Sequence, residues 1–204
     1  FTNFSLMKLR LLIILAASLV TIGAGNADSG KDKVAACAAC HGQDGNSMVG
    51  LWPSLAGQNV NYLVRQLQHI KSGKRPITEM IGSLDNFAQE DLEDIAAFYA
   101  SQNNAIGQAA SDKVELGRKL YYSGSLEKGV PACTACHSPK GKGNSPAGYP
   151  LLSGQQSDYI AKALKNYRTG ERNNDESSQM MMAIAYKLDD VEIDALSSFI
   201  NGLH

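Results

Sequence analysis

The sequence predicts an all-helical protein made of two small bundles in tandem, and three observations carry that expectation. No stretch of the 204 residues alternates apolar and polar side chains for long enough to mark a half-buried strand. Apolar residues instead recur at the three- and four-residue spacing of a helix face. The chain also repeats itself. Cys37-Ala-Ala-Cys40-His41 returns as Cys133-Thr-Ala-Cys136-His137, and Gly45-Asn46-Ser47 as Gly143-Asn144-Ser145. Pro53, Gly57-Gln58, Tyr62, Gly73 and Arg75 then match Pro150, Gly154-Gln155, Tyr159, Gly170 and Arg172 at a constant offset of 97. Such agreement implies two copies of one unit, each of about 80 to 90 residues, near the lower size limit of an independent domain.

Each copy carries the same helical signals. Val60, Leu63, Val64, Leu67 and Ile70 share one helical face, as do Tyr159, Ile160, Ala163, Leu164 and Tyr167. Both segments stop at a glycine, Gly73 and Gly170. A closing helix follows, with Leu92, Ile95 and Phe98 in the first copy and Ile193, Leu196 and Phe199 in the second. Asp189 and Glu192 form a capping-box start for the second. The first has Ala88 at the matching place, which forfeits a side-chain cap worth about 1 kcal/mol. Between the copies, residues 101–111 are polar and small and read as a linker.

The N-terminal residues have the anatomy of an export signal. Met7 to Arg10 form a basic start, Leu11 to Val20 an apolar core, and Gly25 and Ala27 are small residues suited to cleavage before Asp28. Phe1 to Leu6 precede the expected initiator Met7. The apolar core is near ten residues, short of the roughly 20 that span a bilayer. The expected organisation is therefore a signal peptide at 1–27, a first domain at 28–100, the linker at 101–111 and a second domain at 112–204. Export places the mature chain in an oxidising compartment, the periplasm.

Composition excludes several classes of function. Hydrophobic residues make up 44% and charged residues 19%, which is globular rather than disordered. Without Lys8 and Arg10 the chain keeps 17 of its 19 basic residues against 20 acidic ones, and no cluster of lysine and arginine offers a phosphate footprint. Nucleic acid is excluded as a partner.

Cys-x-x-Cys-His is the attachment signature of a c-type haem, in which two thiols bond the porphyrin and the adjacent histidine ligates iron. On a helix Cys37 and His41 lie one turn apart and face the same way, as do Cys133 and His137. The two motifs use all four cysteines of the chain. A zinc ribbon would separate its pairs by about 15 to 20 residues and needs no following histidine. A thioredoxin-like motif would sit beside a strand-helix-strand pattern, and two disulfides would leave the paired histidines unexplained. The expectation is two covalently bound haem c groups.

The second axial ligand decides between electron transfer and catalysis. His69 lies opposite the apolar stripe of its helix and has Asn166 at its repeat position, so it is expected on the surface. His204 is terminal. Methionine thioether is the better ligand type. Met80 lies seven residues before Phe87, which aligns with Leu188, and seven residues before Leu188 is Met181. Met180 and Met182 flank it and keep the choice within the run open. Iron held by His41 and Met80, and by His137 and Met181, has no place for a small-molecule substrate, which predicts an electron carrier and not an enzyme. The carbonyls of Pro53 and Pro150 are spaced to accept the proximal imidazole N–H, although each proline serves equally to shape a loop. Arg75 and Arg172 are candidates to pair with haem propionates, solvated surface positions being the ordinary alternative.

From about Gly30 to the C-terminus the chain resembles the cytochrome c4 family of dihaem class I cytochromes c. The resemblance rests on both haem motifs, on Pro53-Ser-Leu-Ala-Gly57-Gln58, on Tyr62-Leu-Val-Arg-Gln-Leu, on Asp91 to Tyr99 and on Ile193 to His204. Ala88 replaces the usual serine cap, and Trp52 stands where the family often has phenylalanine. The resemblance implies His/Met ligation at both irons, two class I cytochrome c domains related by a pseudo-twofold axis, and propionate edges facing each other across the interface. It also implies electron transfer from a quinol-oxidising bc1 complex to a terminal oxidase, with possible peripheral membrane association. Similar dihaem chains serve as the cytochrome subunit of flavocytochrome c sulfide dehydrogenases, which is the alternative.

Overall fold

The computed structural model describes residues 25–204. The expected export segment lies almost entirely outside them. The N-terminal half contains α1 (Ala27–Lys33), α2 (Ala38–His41), α3 (Val60–Lys71), a 3-10 turn at Thr78–Met80 and α4 (Gln89–Ala100). The C-terminal half contains α5 (Val114–Ser123), α6 (Thr134–His137), α7 (Ser157–Thr169), α8 (Glu176–Ala185) and α9 (Asp190–Asn201). Among the described residues there is no strand, only isolated bridges between Ser125 and Val130 and between Asn144 and Tyr149. The fold is all-α, as the patterning requires.

Each half is a small bundle in which the first helix crosses the last, α1 on α4 and α5 on α9, while α3 and α7 pack beside them. The crossings depend on glycine. A Cβ on Gly30 would run into the Asp94 carbonyl, and one on Gly117 into the Ala195 carbonyl, so only a missing side chain lets these backbones approach. The first core gathers Val34, Leu63, Ile95, Ala96, Phe98 and Tyr99. The second gathers Leu120, Tyr121, Ile160, Leu164, Ile193 and Leu196 with several others. Alternate apolar turns of α3, α4, α7 and α9 therefore face inward, as their periodicity demands.

The caps follow the sequence closely. Asp189 Oδ1 accepts the Glu192 N–H at 2.9 Å and Glu192 Oε2 accepts the Asp189 N–H at 3.0 Å. Asp91 reaches back to the Ala88 N–H at 2.7 Å, but Ala88 returns no side-chain acceptor, so half of that box is missing. At the other end of the chain Asn26 caps α1, its side chain accepting from the Asp28 and Ser29 N–H groups. Cleavage before Asp28 would remove this cap, whereas cleavage upstream of Asn26 would keep it.

The linker is pinned rather than loose. Ala105 N–H donates to Asn46, Asn104 donates to the Ser153 carbonyl, Gly107 N–H to the Asn201 carbonyl and Ala110 N–H to Ser198. Across the interface, contacts occur twice with the roles exchanged. Arg75 donates to Tyr159 and Arg172 to Tyr62; Gln58 binds Leu151 and Gln155 binds Ser54. Reciprocity of this kind is the signature of a twofold relation.

Candidate metal centre

The haem motifs occupy two four-residue helices. In α2 the His41 N–H donates to the Cys37 carbonyl at 2.9 Å, and in α6 the His137 N–H donates to the Cys133 carbonyl at the same distance. That turn places both thiols and the imidazole on one side. No two of the four cysteines pair in a disulfide, and all four line a cavity together with His41 and His137. Burial raises the Cys37 thiol above its ordinary value and pushes Cys133 up to about 11.

Each proximal imidazole is oriented by a proline carbonyl. His41 Nδ1 lies 2.8 Å from the Pro53 oxygen and His137 Nδ1 lies 3.2 Å from the Pro150 oxygen. Nδ1 therefore carries the proton and donates, which leaves Nε2 with a lone pair able to ligate a metal. Burial pulls both histidines below the ordinary imidazole value, favouring the neutral form that a metal requires.

The methionines separate by position. Met80 closes the 3-10 turn, half-buried, on the wall of the cavity. In the C-terminal half Met180 and Met181 both line the cavity, while Met182 does not. Met181 packs against the buried core, and Met180 is 46% exposed. The rest of the cavity wall is largely apolar, with Trp52, Leu63, Leu67, Phe87, Ile160 and Leu188 among its residues. From each half the cavity thus receives two cysteine sulfurs, one imidazole and at least one thioether, the donor set for a covalently held haem.

A second observation tests the fit from the other edge. Arg172 is only 7% exposed, and Arg75 has a buried Nε with no hydrogen-bond partner. Both line the cavity where the halves meet. Arg75 donates to Gln66 at 2.8 Å and to the Tyr159 hydroxyl at 3.1 Å. Arg172 donates to the Tyr62 hydroxyl at 2.7 Å and to Gln66 at 3.2 Å, and its guanidinium stacks on Tyr167. Neither arginine forms an ion pair among the described residues. Although burial opposes it, the charges of Arg75 and Arg172 lower the Tyr159 phenol below its ordinary value. A buried guanidinium at Arg172 and a half-buried one at Arg75, with no carboxylate beside either, are costly alone and fit a ligand that brings its own. The ordinary surface placement does not hold: the interface buries Arg172 and half-buries Arg75.

His69 also departs from its expected surface position. Its side chain is 13% exposed, and Nδ1 faces Asp175 of the other half at 3.9 Å. The residue is opposite the apolar stripe of its own bundle, but that side is where the second bundle docks. The sequence does not single out Gln58, Gln155 and Gln66, all of which are buried. The repeated Gly-Gln pair was visible, yet nothing in one copy says what the glutamine reaches.

Two Cys-x-x-Cys-His turns, each opening on an apolar slot in an all-helical bundle, define a dihaem c-type cytochrome. The chain is 47% identical over 203 residues to cytochrome c4 of Azotobacter vinelandii, an alignment covering 95% of this chain and 97% of that one. It belongs to the cytochrome c4 family. Cytochrome c4 of Stutzerimonas stutzeri is 46% identical, with 94% of this chain and 99% of that protein covered. The crystal structure of reduced recombinant cytochrome c4 from Pseudomonas stutzeri matches with a TM-score of 0.87 at 47% identity, over 89% of this chain and 100% of that chain. Residues 114–204 match the family model for cytochrome c, and residues 25–98 that for cytochrome C oxidase, cbb3-type, subunit III. The protein thus carries two covalently bound haem c groups and works as an electron carrier, not an enzyme.

Proposed function

We propose that His41 and Met80 are the axial ligands of one iron and His137 and Met181 those of the other, Cys37, Cys40, Cys133 and Cys136 forming the thioether bonds. The observation that carries this reading is that both motif cysteines, the motif histidine and a methionine of each half, Met80 in the first and Met181 beside Met180 in the second, line one largely apolar cavity. Haem bound there supplies a one-electron couple whose potential follows the axial ligands, hydrogen bonding and burial. The residues do the rest. The Pro53 and Pro150 carbonyls hold the imidazoles in one orientation, the apolar walls exclude water, and the thioethers close the last coordination position against substrate. Arg75 and Arg172, which line the cavity and bond across the interface, would hold the haem carboxylates.

In this reading the chain accepts electrons from a quinol-oxidising complex such as bc1 and delivers them to a terminal oxidase, in the periplasm. Export follows from the leader sequence. Among the described residues no helix is long and apolar enough to cross a membrane. Delivery then proceeds by transient docking, for which small and weak contacts suffice.

A redox titration of the holoprotein tests the ligation, with the oxidised spectrum examined for the sulfur-to-iron charge-transfer band and the reduced protein exposed to carbon monoxide. Two closed centres give the band at both haems and no ready carbon monoxide binding. Ready binding at either iron would overturn the closed-site carrier.

A further inference from the structure

We propose that Gln58 and Gln155 are positioning residues acting in trans, each fixing the peptide group that orients the proximal histidine of the opposite half. The inference rests on the haem reading above and concerns residues that no part of it uses.

The geometry is reciprocal. Gln58 Oε1 accepts the Leu151 N–H at 2.7 Å, and its Nε2 donates to the Leu151 carbonyl at 2.9 Å. Gln155 Oε1 accepts the Ser54 N–H at 2.8 Å, and its Nε2 donates to the Ser54 carbonyl at 2.8 Å. Each carboxamide thus holds both backbone groups of one residue in the other half. Leu151 follows Pro150 and Ser54 follows Pro53, so the N–H that is held belongs to the same peptide group as the carbonyl serving the histidine. The chain of bonds runs from Gln58 through the Pro150–Leu151 peptide to His137 Nδ1, and from Gln155 through the Pro53–Ser54 peptide to His41 Nδ1.

Hydrogen bonds in such a chain polarise one another. A carboxamide oxygen accepting the peptide N–H makes the peptide carbonyl a stronger acceptor, and that carbonyl sets the basicity of the imidazole. Stronger donation by Nδ1–H gives a more electron-rich ligand, which favours the oxidised metal and lowers its potential. The glutamines themselves are rigid. Gln58 is 5% and Gln155 7% exposed, and each Oε1 also accepts the next backbone N–H of its own chain segment, Asn59 and Gln156, both at 2.9 Å. Gly57 and Gly154 precede them at φ of +66° and +71°, the left-handed turn that delivers both side chains to the interface. Each half therefore helps to set the proximal ligand of its neighbour.

The test uses the reduced holoprotein of Gln58→Leu and Gln155→Leu, after haem counting by pyridine haemochrome has confirmed two groups per chain. That count checks the haem reading independently. For Gln58→Leu, NMR should find the His137 Nδ1 proton exchanging faster by roughly fivefold or more, the equivalent of one net hydrogen bond. The potential of the C-terminal haem should rise while the N-terminal one keeps its value. Gln155→Leu should give the mirror result at His41 and the N-terminal haem. Gln58→Glu, measured at a pH where its buried carboxyl is protonated so that it both accepts the Leu151 N–H and donates to the Leu151 carbonyl, should retain the protection of the His137 proton. Changes confined to the mutated half, equal changes in both halves, or no change would overturn the proposal, as would loss of protection in Gln58→Glu. If Gln58→Leu fails to take up two haems, Gln155→Leu and Gln58→Glu decide by the same criteria.

Discussion

In the C-terminal half Met181 rides on α8, a ten-residue helix packed against α7 and started by a reciprocal cap between Asp175 and Ser178. In the N-terminal half Met80 ends a three-residue 3-10 turn between exposed Glu79 and the exposed Ile81. His137 is 8% exposed, whereas His41 is only half-buried. The C-terminal motif is also preceded by a loop from Gly124 to Ala132 with no counterpart in the first half. Its Val130 and Pro131 line the cavity, and Lys128 ties it to Asp189 and Glu192. The proposed ligands of the two halves thus sit in unequal housings. Identical ligands with unequal burial should separate the two potentials, because a drier site disfavours the more highly charged oxidised state. The C-terminal haem is expected to have the higher potential, and a titration with assigned haems that finds the reverse order breaks the comparison.

The largest effect is expected from removing a thioether. Met80→Ala and Met181→Ala should each abolish the charge-transfer band of one haem and lower its potential by a few tenths of a volt, within the roughly 0.8 V that axial ligands span. The half to which the ligand belongs should be the only one to open to carbon monoxide. Sequential neighbours sharpen the test in the C-terminal half: Met180→Ala and Met182→Ala should leave both bands in place, and loss of a band in either would move the ligand along the run.

Next in size are the helix crossings. Gly30→Ala and Gly117→Ala each place a methyl group against a backbone carbonyl that cannot rotate away, an overpacking that costs about 1–3 kcal/mol. Thermal unfolding followed at each haem's own absorption or NMR signals should show the mutated half loosening first. Equal loosening of both halves in both variants would mean that the interface, not the crossing, governs stability.

Much of this organisation is legible in the residues, and the rest is hidden for definite reasons. The haem motifs, the paired helices and the seven-residue spacing from Met181 to Leu188 are local patterns, and local patterns survive in a single sequence. Helix α1 is not legible, because Ala27–Lys33 carries no apolar stripe and packs through Gly30. Helix α8 is obscured by its methionine run, which gives no clean amphipathic period. The buried state of Arg172, Gln58, Gln155 and His69 depends on where one copy docks on the other, and a duplicated sequence shows that there are two copies without showing which faces meet. Gln66 makes the point sharply. It bonds both arginines, yet its repeat counterpart is Ala163, so the central bond of a pseudo-symmetric interface belongs to one half alone.

A smaller effect comes from the closing helices. Asp189 caps α9 from both sides, while Ala88 leaves α4 with only the return bond from Asp91. Ala88→Ser supplies the missing acceptor for the Asp91 N–H and should stabilise the N-terminal half by about 1 kcal/mol. Chemical denaturation of holoprotein would register it as a later midpoint with an unchanged slope. Likewise Asn26 caps α1, so a mature chain that keeps Asn26 should be more stable than one beginning at Asp28 by a similar margin, which mass determination of the exported protein and denaturation of the two forms would check.

The smallest expected effect is a pH dependence at His69, which has Asn166 in the second copy. Burial lowers His69 below the ordinary histidine value, opposed by Asp175 and reinforced by Lys74, Arg65 and Arg75, the charged groups facing it from its own helix, the following turn and the other half. A histidine whose folded value is depressed binds fewer protons folded than unfolded once the pH falls below the ordinary value near 6.5. Its contribution to stability is therefore constant above that value and is lost as the pH falls through it toward the lower folded value. His69→Asn copies the C-terminal half and removes the titrating group. Denaturation midpoints of the two proteins should diverge between about pH 7.5 and pH 5.5, which brackets the ordinary histidine value, with the parent losing more stability on acidification. Parallel loss in both proteins would show that His69 stays paired with Asp175 when protonated, and that the docking face is tolerant of charge.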